Sequence, residues 1–344
     1  MPQAAVLPAK PAAGSDFAPL LRQVRDQGLL ERRRGWYARS IAVNLVALAA
    51  TAAGIVLSGD SWRTVLLAVP AALFWARTAF VGHDSGHAQI AATRRTGRLI
   101  GLLHADLLLG MSYAWWNDKH NRHHANPNHV DKDPDVGVGA LVWTQRQAAQ
   151  RRGRAVRWLT RNQARLFFPM LLLEGISLKI SSVRDLGRQS AAERRTEAAL
   201  LALHVAGYAG LLLSSMSPGK AVVFALVHHA LFGLHLGMVF APNHKGMEMP
   251  GPGGERWGHL QRQVLTSRNV RGGAVTDWLM GGLNYQIEHH LFPNMPRPHL
   301  RLARPLVRAH CRASGLPYTE TGIVDSYRQA LHHMHDVGTP LRTG

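Results

Sequence analysis

The residues best suited to chemistry are three short histidine clusters. His83 and His87 stand four apart, His120, His123 and His124 follow as i, i+3 and i+4, and Gln286, His289 and His290 repeat that spacing with glutamine in first place. Helical residues three and four apart share a face, so each cluster can aim its imidazoles at one point. Neutral imidazole suits iron, zinc or copper, and seven or eight of them exceed the closed four-ligand shell of one structural zinc. The pattern therefore predicts a pair of metal ions. Asn243-His244 offers one more imidazole, and Asp84, Asn117 and Glu288 are candidates to accept the outer N–H of a ligand ring. The single cysteine, Cys311, excludes an intramolecular disulfide and Cys-rich zinc or iron–sulfur sites.

The elements that must position these clusters read as membrane helices. Mean hydropathy is only −0.09, because Leu/Ala/Val runs alternate with Arg-rich segments. Apolar runs at 41–58, 63–81, 198–216 and 221–241 approach the ~20 residues that span a bilayer. Turn-prone connections, Gly59 to Trp62 and Ser217-Pro218-Gly219, close them into two hairpins. The expected fold is all-α and polytopic: four transmembrane helices in two hairpins, with a cytoplasmic helical cap carrying the metal site. Residues 1–40 read as a disordered lead, with no signal or transit peptide, followed by an interfacial amphipathic helix whose apolar side holds Leu20, Leu21 and Val24. Residues 41–344 read as one domain, with cytoplasmic parts at 82–197 and 242–344. Within them, Leu99 to Trp116 is interrupted by His104 and Asp106 and reads as half-inserted, Thr144 to Arg165 as a cytoplasmic helix, and Leu166 to Ile180 as interfacial.

A formal charge of +19 invites a nucleic-acid reading. The placement of that charge argues for lipid. Arg32, Arg33, Arg34 and Arg39 crowd before Ile41, as fits anionic headgroups, while the two short connections hold only Arg63 and Lys220. The clusters and both termini are therefore assigned to the cytoplasmic side of a membrane crossed several times, the Arg-over-Lys and Ala bias points to a cell membrane rather than endoplasmic reticulum, and no nucleic acid is expected. Asp131, Asp133 and Asp135 alternate as in a calcium loop, but Pro134, Val136 at the sixth position and Val142 at the twelfth do not fit one. They read as a solvated loop that positions an arginine or the second cluster.

The surroundings of the clusters add specificity. Trp115-Trp116-Asn117 precedes the second, Asn126-Pro127-Asn128 follows it, and the third lies in Leu283-Asn284-Tyr285-Gln286-Ile287-Glu288-His289-His290-Leu291-Phe292-Pro293, between Asp277-Trp278 and Met295-Pro296-Arg297. Over about 82–317 the sequence resembles the membrane fatty acid desaturase family, especially its front-end branch, where glutamine replaces the first histidine of the third box. The resemblance implies a di-iron centre held by His83, His87, His120, His123, His124, His289 and His290, with His244 as an extra ligand. Gln286 can ligate weakly, bridge through water or orient a neighbour. It also implies O2 as co-substrate and insertion of a cis double bond into a long acyl chain carried on coenzyme A or a lipid. A pair of irons can remove hydrogen from an unactivated methylene, which no side chain can do.

Many eukaryotic front-end enzymes carry a fused cytochrome b5 domain with a haem-binding His-Pro-Gly-Gly. That motif does not occur here, and Met1 to Ser40 is too short for such a domain. Electrons are therefore expected from a separate ferredoxin, flavoprotein reductase or cytochrome b5-like donor, for which Arg146, Arg151, Arg152, Arg154 and Arg157 offer a basic face that equally suits lipid headgroups. In the fourth apolar run, His228 and His235 either line an acyl tunnel or hydrogen-bond between helices. Two other functions remain open on the residues: an acyl hydroxylase using the same site, and a His-lined metal transporter, whose ligands should track across the bilayer.

Overall fold

The computed structural model describes residues 16–251 and 257–342. The lead expected at the start of the chain lies outside the described residues. The amphipathic helix after it, α1 (Ala18–Asp26), buries Leu20 and Val24 in a cluster with Leu300, Ala303 and Val307. Protein thus takes up the apolar side that sequence patterning assigns to lipid.

Two long helices follow, α2 (Arg34–Ser58) and α3 (Ala68–Gly86), the second entered through a 3-10 turn at Trp62–Leu67. Helix α4 (Arg94–Leu102) runs into a π-helical turn, Leu103–Leu109, and then α5 (Tyr113–Ala125). The Arg-rich stretch is not one helix. It divides into α6 (Gln145–Ala149), α7 (Arg154–Arg161) and the start of α8 (Gln163–Leu171): Gly153, at φ +81°, breaks the path between α6 and α7, and Asn162 leaves the helical conformation between α7 and α8. Next come α9 (Glu174–Asp185), α10 (Ala191–Ser215) and α11 (Pro218–His244). The remainder is α12 (His259–Leu265), β1 (Asn269–Arg271), α13 (Ala274–Leu279), α14 (Gln286–Leu291), α15 (Arg297–Ala313), β2 (Glu320–Gly322) and α16 (Ile323–Val337), with β1 and β2 paired in parallel, Asn269 opposite Glu320.

Four helices, Arg34–Ser58, Trp62–Gly86, Ala191–Ser215 and Pro218–His244, are long and apolar enough to cross a membrane. Each has 25 residues or more, so at 1.5 Å per residue it reaches about 38 Å, beyond the ~30 Å hydrocarbon layer. The surplus matters at the ends of α3 and α11, where His83 and His244 sit. Val43, Val46 and Leu57 on α2, Leu203 and Leu213 on α10, and Leu226 on α11 stay exposed, a surface suited to acyl chains. Both hairpin turns meet at one end: Asp60 of the first accepts hydrogen bonds from Ser217 N–H (2.8 Å) and pairs with Lys220 (3.1 Å) of the second. The histidine clusters lie at the opposite helix ends.

Helices α8 and α9 form a pair bent by 74°. They seat on α11 where Gly233 lets backbones touch: a Cβ there would stand 2.5 Å from Gly175 N and 2.6 Å from Leu171 O. Side chains of this bent pair wall a cavity beside the histidines.

Candidate metal centre

Each histidine cluster sits where a helix ends or begins. His83 lies in the last turn of α3 and His87 is its C-cap residue, so the i, i+4 pair spans a helix terminus. Helix α5 carries His120, His123 and His124, and α14 carries Gln286, His289 and His290. The last residue of α11 is His244. Folding brings these into two groups whose ligand atoms lie within 4.8 Å of one another: His83, His87, His120 and His289 in the first, His123, His244 and His290 in the second. His124 stands between them, its Nε2 3.1 Å from His120 Nε2 and its ring stacked on His290 at 4.2 Å.

The outer ring nitrogens settle which atoms face inward. His83 Nδ1 donates to Asp84 (2.9 Å), His123 Nδ1 to Asp133 (2.9 Å), His244 Nδ1 to the Thr266 carbonyl (2.9 Å) and His290 Nδ1 to Gln263 Oε1 (3.0 Å). With Nδ1 protonated, each ring turns its Nε2 lone pair toward the centre, where that of His244 meets the Gln286 amide. The inward atoms crowd one another: His83 Nε2 is 3.2 Å from His289 Nε2, and His87 Nε2 is 2.9 Å from His120 Nε2. His290 Nε2 is buried and has no protein partner. Converging lone pairs without donors are costly in a buried place unless a cation sits among them, so the donor set fits two metal ions. Burial, and then the neighbouring imidazoles, hold His87, His120, His124, His289 and His290 well below the usual histidine range, in the neutral form that ligates.

Behind the rings stands an anionic layer. Asp84 is held by Arg297 (2.5 Å) and by the Tyr37 hydroxyl (3.0 Å), so its charge is compensated. Asp133 accepts from the N–H groups of Asn128 (2.7 Å) and Asp135 (2.9 Å) as well as from His123. Burial pushes the Asp133 carboxyl up, but the hydrogen bond and charge of His123 outweigh it and the net shift is down. Of the three aspartates expected in a solvated loop that positions an arginine or the second cluster, Asp133 is buried and supports that cluster, Asp135 is half-buried and Asp131 stays exposed. Asp135 pairs with Lys119 in addition.

Other expected partners lie elsewhere. Glu288 touches no imidazole in the described hydrogen bonds; it accepts from Asn269 and Tyr318 (both 2.7 Å), and burial pushes its carboxyl up to about 7. Asn117 packs its Oδ1 against Gly86, where a Cβ would come within 2.2 Å. Asn243 acts through Gln286, donating to its Oε1 (3.2 Å), and the Gln286 amide lies 2.9 Å from His244 Nε2. His228 and His235 do not line the cavity: the first bonds Tyr208 (2.8 Å), the second the Leu279 carbonyl (2.8 Å).

Asn128 ties the second cluster to α11. Its φ is +56°, a left-handed value that asparagine tolerates better than most residues, and its amide donates to the carbonyls of His244 (2.9 Å), Glu248 and Thr266 (both 3.3 Å). Asn128→Ala leaves those buried carbonyls short of a donor in a strained backbone, an expected loss of about 2–4 kcal/mol of stability. Thermal unfolding in detergent checks it: the midpoint should fall, and metal should be released at lower temperature.

The cavity beside the metal centre is lined by His83, His120, His123, His244 and His289, by the charged Lys119, Asp135, Glu174 and Lys245, and by a larger apolar surface that includes Leu109, Met111, Leu178, Leu236 and Phe240. Residues 60–322 match the family model described as fatty acid desaturase. The chain belongs to the fatty acid desaturase family. Among similar proteins are an acyl-lipid (9-3)-desaturase of Physcomitrium patens, 28% identical over 94% of this chain and 62% of its own length, and delta(8)-fatty-acid desaturase 2 of Arabidopsis thaliana, 29% identical over 88% and 70%. Fatty acid desaturase 3 of Bos taurus is 30% identical over 91% of this chain and 71% of its own. For a member of this family, the neighbourhood of imidazole cluster and apolar cavity is the feature that matters.

Proposed function

We propose that this chain inserts a cis double bond into a long-chain fatty acyl group at a pair of irons, consuming O2 and two electrons and releasing water. The observation that carries the reading is the apolar cavity running directly against imidazoles whose Nε2 atoms converge. An acyl chain is the substrate class that such walls bind, by the burial of methylenes. The irons would be held by His83, His87, His120, His123, His124, His244, His289 and His290, with Gln286 beside His244. When bound, they supply the oxidising power that removes hydrogen from an unactivated methylene.

Everything else falls to the protein. Apolar walls exclude water and align the chain. The Trp116 ring stacks on His120 at 4.4 Å and fixes its plane. Asp84 and Asp133 keep the outer protons of His83 and His123 in place, so the inner nitrogens stay available. Gln286, in first place of the third cluster, is a neutral donor held by Asn243.

The carrier is coenzyme A or a lipid, and the electrons come from a separate ferredoxin, flavoprotein reductase or cytochrome b5-like protein. The membrane is a cell membrane, with the clusters and termini on its cytoplasmic side. Helix α7 supports that orientation: Val156 and Trp158 are exposed beside Arg154 and Arg157, a mixture suited to the headgroup boundary. The transporter reading lacks the ligand track it needs, since both imidazole groups lie at one end of the helices.

Lipid analysis of a host expressing the chain, supplied with oleate and linoleate, tests the activity. Products lighter by two hydrogens are expected. Products heavier by one oxygen would make it a hydroxylase, and unchanged lipids would remove both readings.

A further inference from the structure

Beyond the deep end of the cavity lies a polar cluster that the proposed reaction does not use. On α3 the cavity lining begins at Ala79 and on α11 at Leu236, and one turn deeper on each helix stand Trp75 and Phe232, packed edge to face at 5.6 Å. Trp75 is surrounded by cationic and polar groups. Lys179 Nζ lies 4.1 Å above its ring, the His228 ring is 4.0 Å away, and those of His204 and Tyr208 are each at 5.4 Å.

The same groups hold the π-helical turn Leu103–Leu109. Lys179 Nζ donates to the Leu109 carbonyl (2.5 Å) and lies 3.3 Å from His204 Nε2, while His204 Nδ1 donates to the Leu107 carbonyl (2.9 Å). The turn ends at Gly110, with φ +73°, so close under His204 that a Cβ would meet its ring at 2.3 Å. Leu109 and Leu178, the neighbour of Lys179, both line the cavity. No described carboxylate forms an ion pair with Lys179, so its charge is not there to neutralise an acid. A lysine among apolar helices is costly and marks function by default.

We propose that Lys179 and His204 are positioning residues that fix Trp75 and the Leu103–Leu109 turn as the end stop of the cavity, and that this stop sets how much acyl chain is accepted beyond the oxidised bond. The inference rests on the acyl substrate proposed above. From Trp75 to His83 is two turns of α3, about 12 Å at 1.5 Å per residue. Methylenes past that distance meet the indole and the ammonium behind it.

The test supplies purified, iron-loaded protein with O2, reduced ferredoxin or reduced cytochrome b5, and a mixture of monounsaturated acyl chains of three lengths, and measures the ratio of products carrying one further double bond, with iron content determined in parallel. Trp75→Ala deepens the cavity, Trp75→Phe deepens it less, and Lys179→Met removes the tether. Each should shift the longest-to-shortest product ratio toward the longest chain, by about tenfold for Trp75→Ala, the discrimination that one or a few methylenes give in an apolar pocket. Iron content should stay at the wild-type level. A uniform fall in activity at every length, or an unmoved ratio in the two Trp75 variants, overturns the stop while leaving the proposed function standing. Wild-type protein that adds no double bond to a chain of any length overturns both.

Discussion

Replacing His120 by alanine is expected to abolish double-bond formation and to lower the iron content of the purified protein. His120 is the most connected imidazole of the site: its Nε2 is 2.9 Å from His87 Nε2 and 3.1 Å from His124 Nε2, and its ring stacks on Trp116. Its removal takes one donor from the group of His83, His87 and His289 and leaves a void between α3 and α5. Loss of a partner behind a metal ligand already costs about 10–100-fold, so loss of the ligand should exceed about 100-fold. His332→Ala is the matched control, since His332 lies on an exposed turn of α16 paired with Asp336. Near-wild-type activity and iron in the His120 variant would contradict the assignment.

The second large effect is expected at Asp133. Its Oδ2 accepts from both His123 Nδ1 (2.9 Å) and Asn128 N–H (2.7 Å), so one carboxylate fixes the ring's tautomer and the loop behind it. Asp133→Ala frees the ring to rotate and leaves a buried N–H without its acceptor. A fall of about 10–100-fold in activity is expected, together with faster loss of metal to a chelator. Asp133→Asn keeps an acceptor oxygen of similar shape and should lie between wild type and alanine. A purely structural role for Asp133 would lower thermal stability without changing metal retention in the fraction that stays folded.

The parts legible from sequence are those whose physics is local. Four hydrophobic runs of spanning length and three clusters spaced three or four residues apart depend only on neighbours along the chain, and they appear as helices and converging rings. The support behind the rings depends on contacts between distant segments. Gln263, the Thr266 carbonyl and Arg297 reach His290, His244 and Asp84 only after α12, α14 and α15 have packed, and no spacing announces them. Asp133 did carry a signal, the alternating aspartates after the second cluster, but solvation and burial give the same pattern in sequence. Glu288 shows the converse: it is adjacent to His289 in sequence, as Asp84 is to His83, yet only Asp84 bonds the ring beside it. For α1, an amphipathic stripe fits lipid and protein equally, and only the position of α15 decides between them.

Metal analysis of purified, catalytically competent protein tests the central claim most directly. The account predicts two irons per chain, activity lost on chelation, and recovery with ferrous iron but not with zinc. Full turnover of an acyl substrate by protein containing no iron would contradict it.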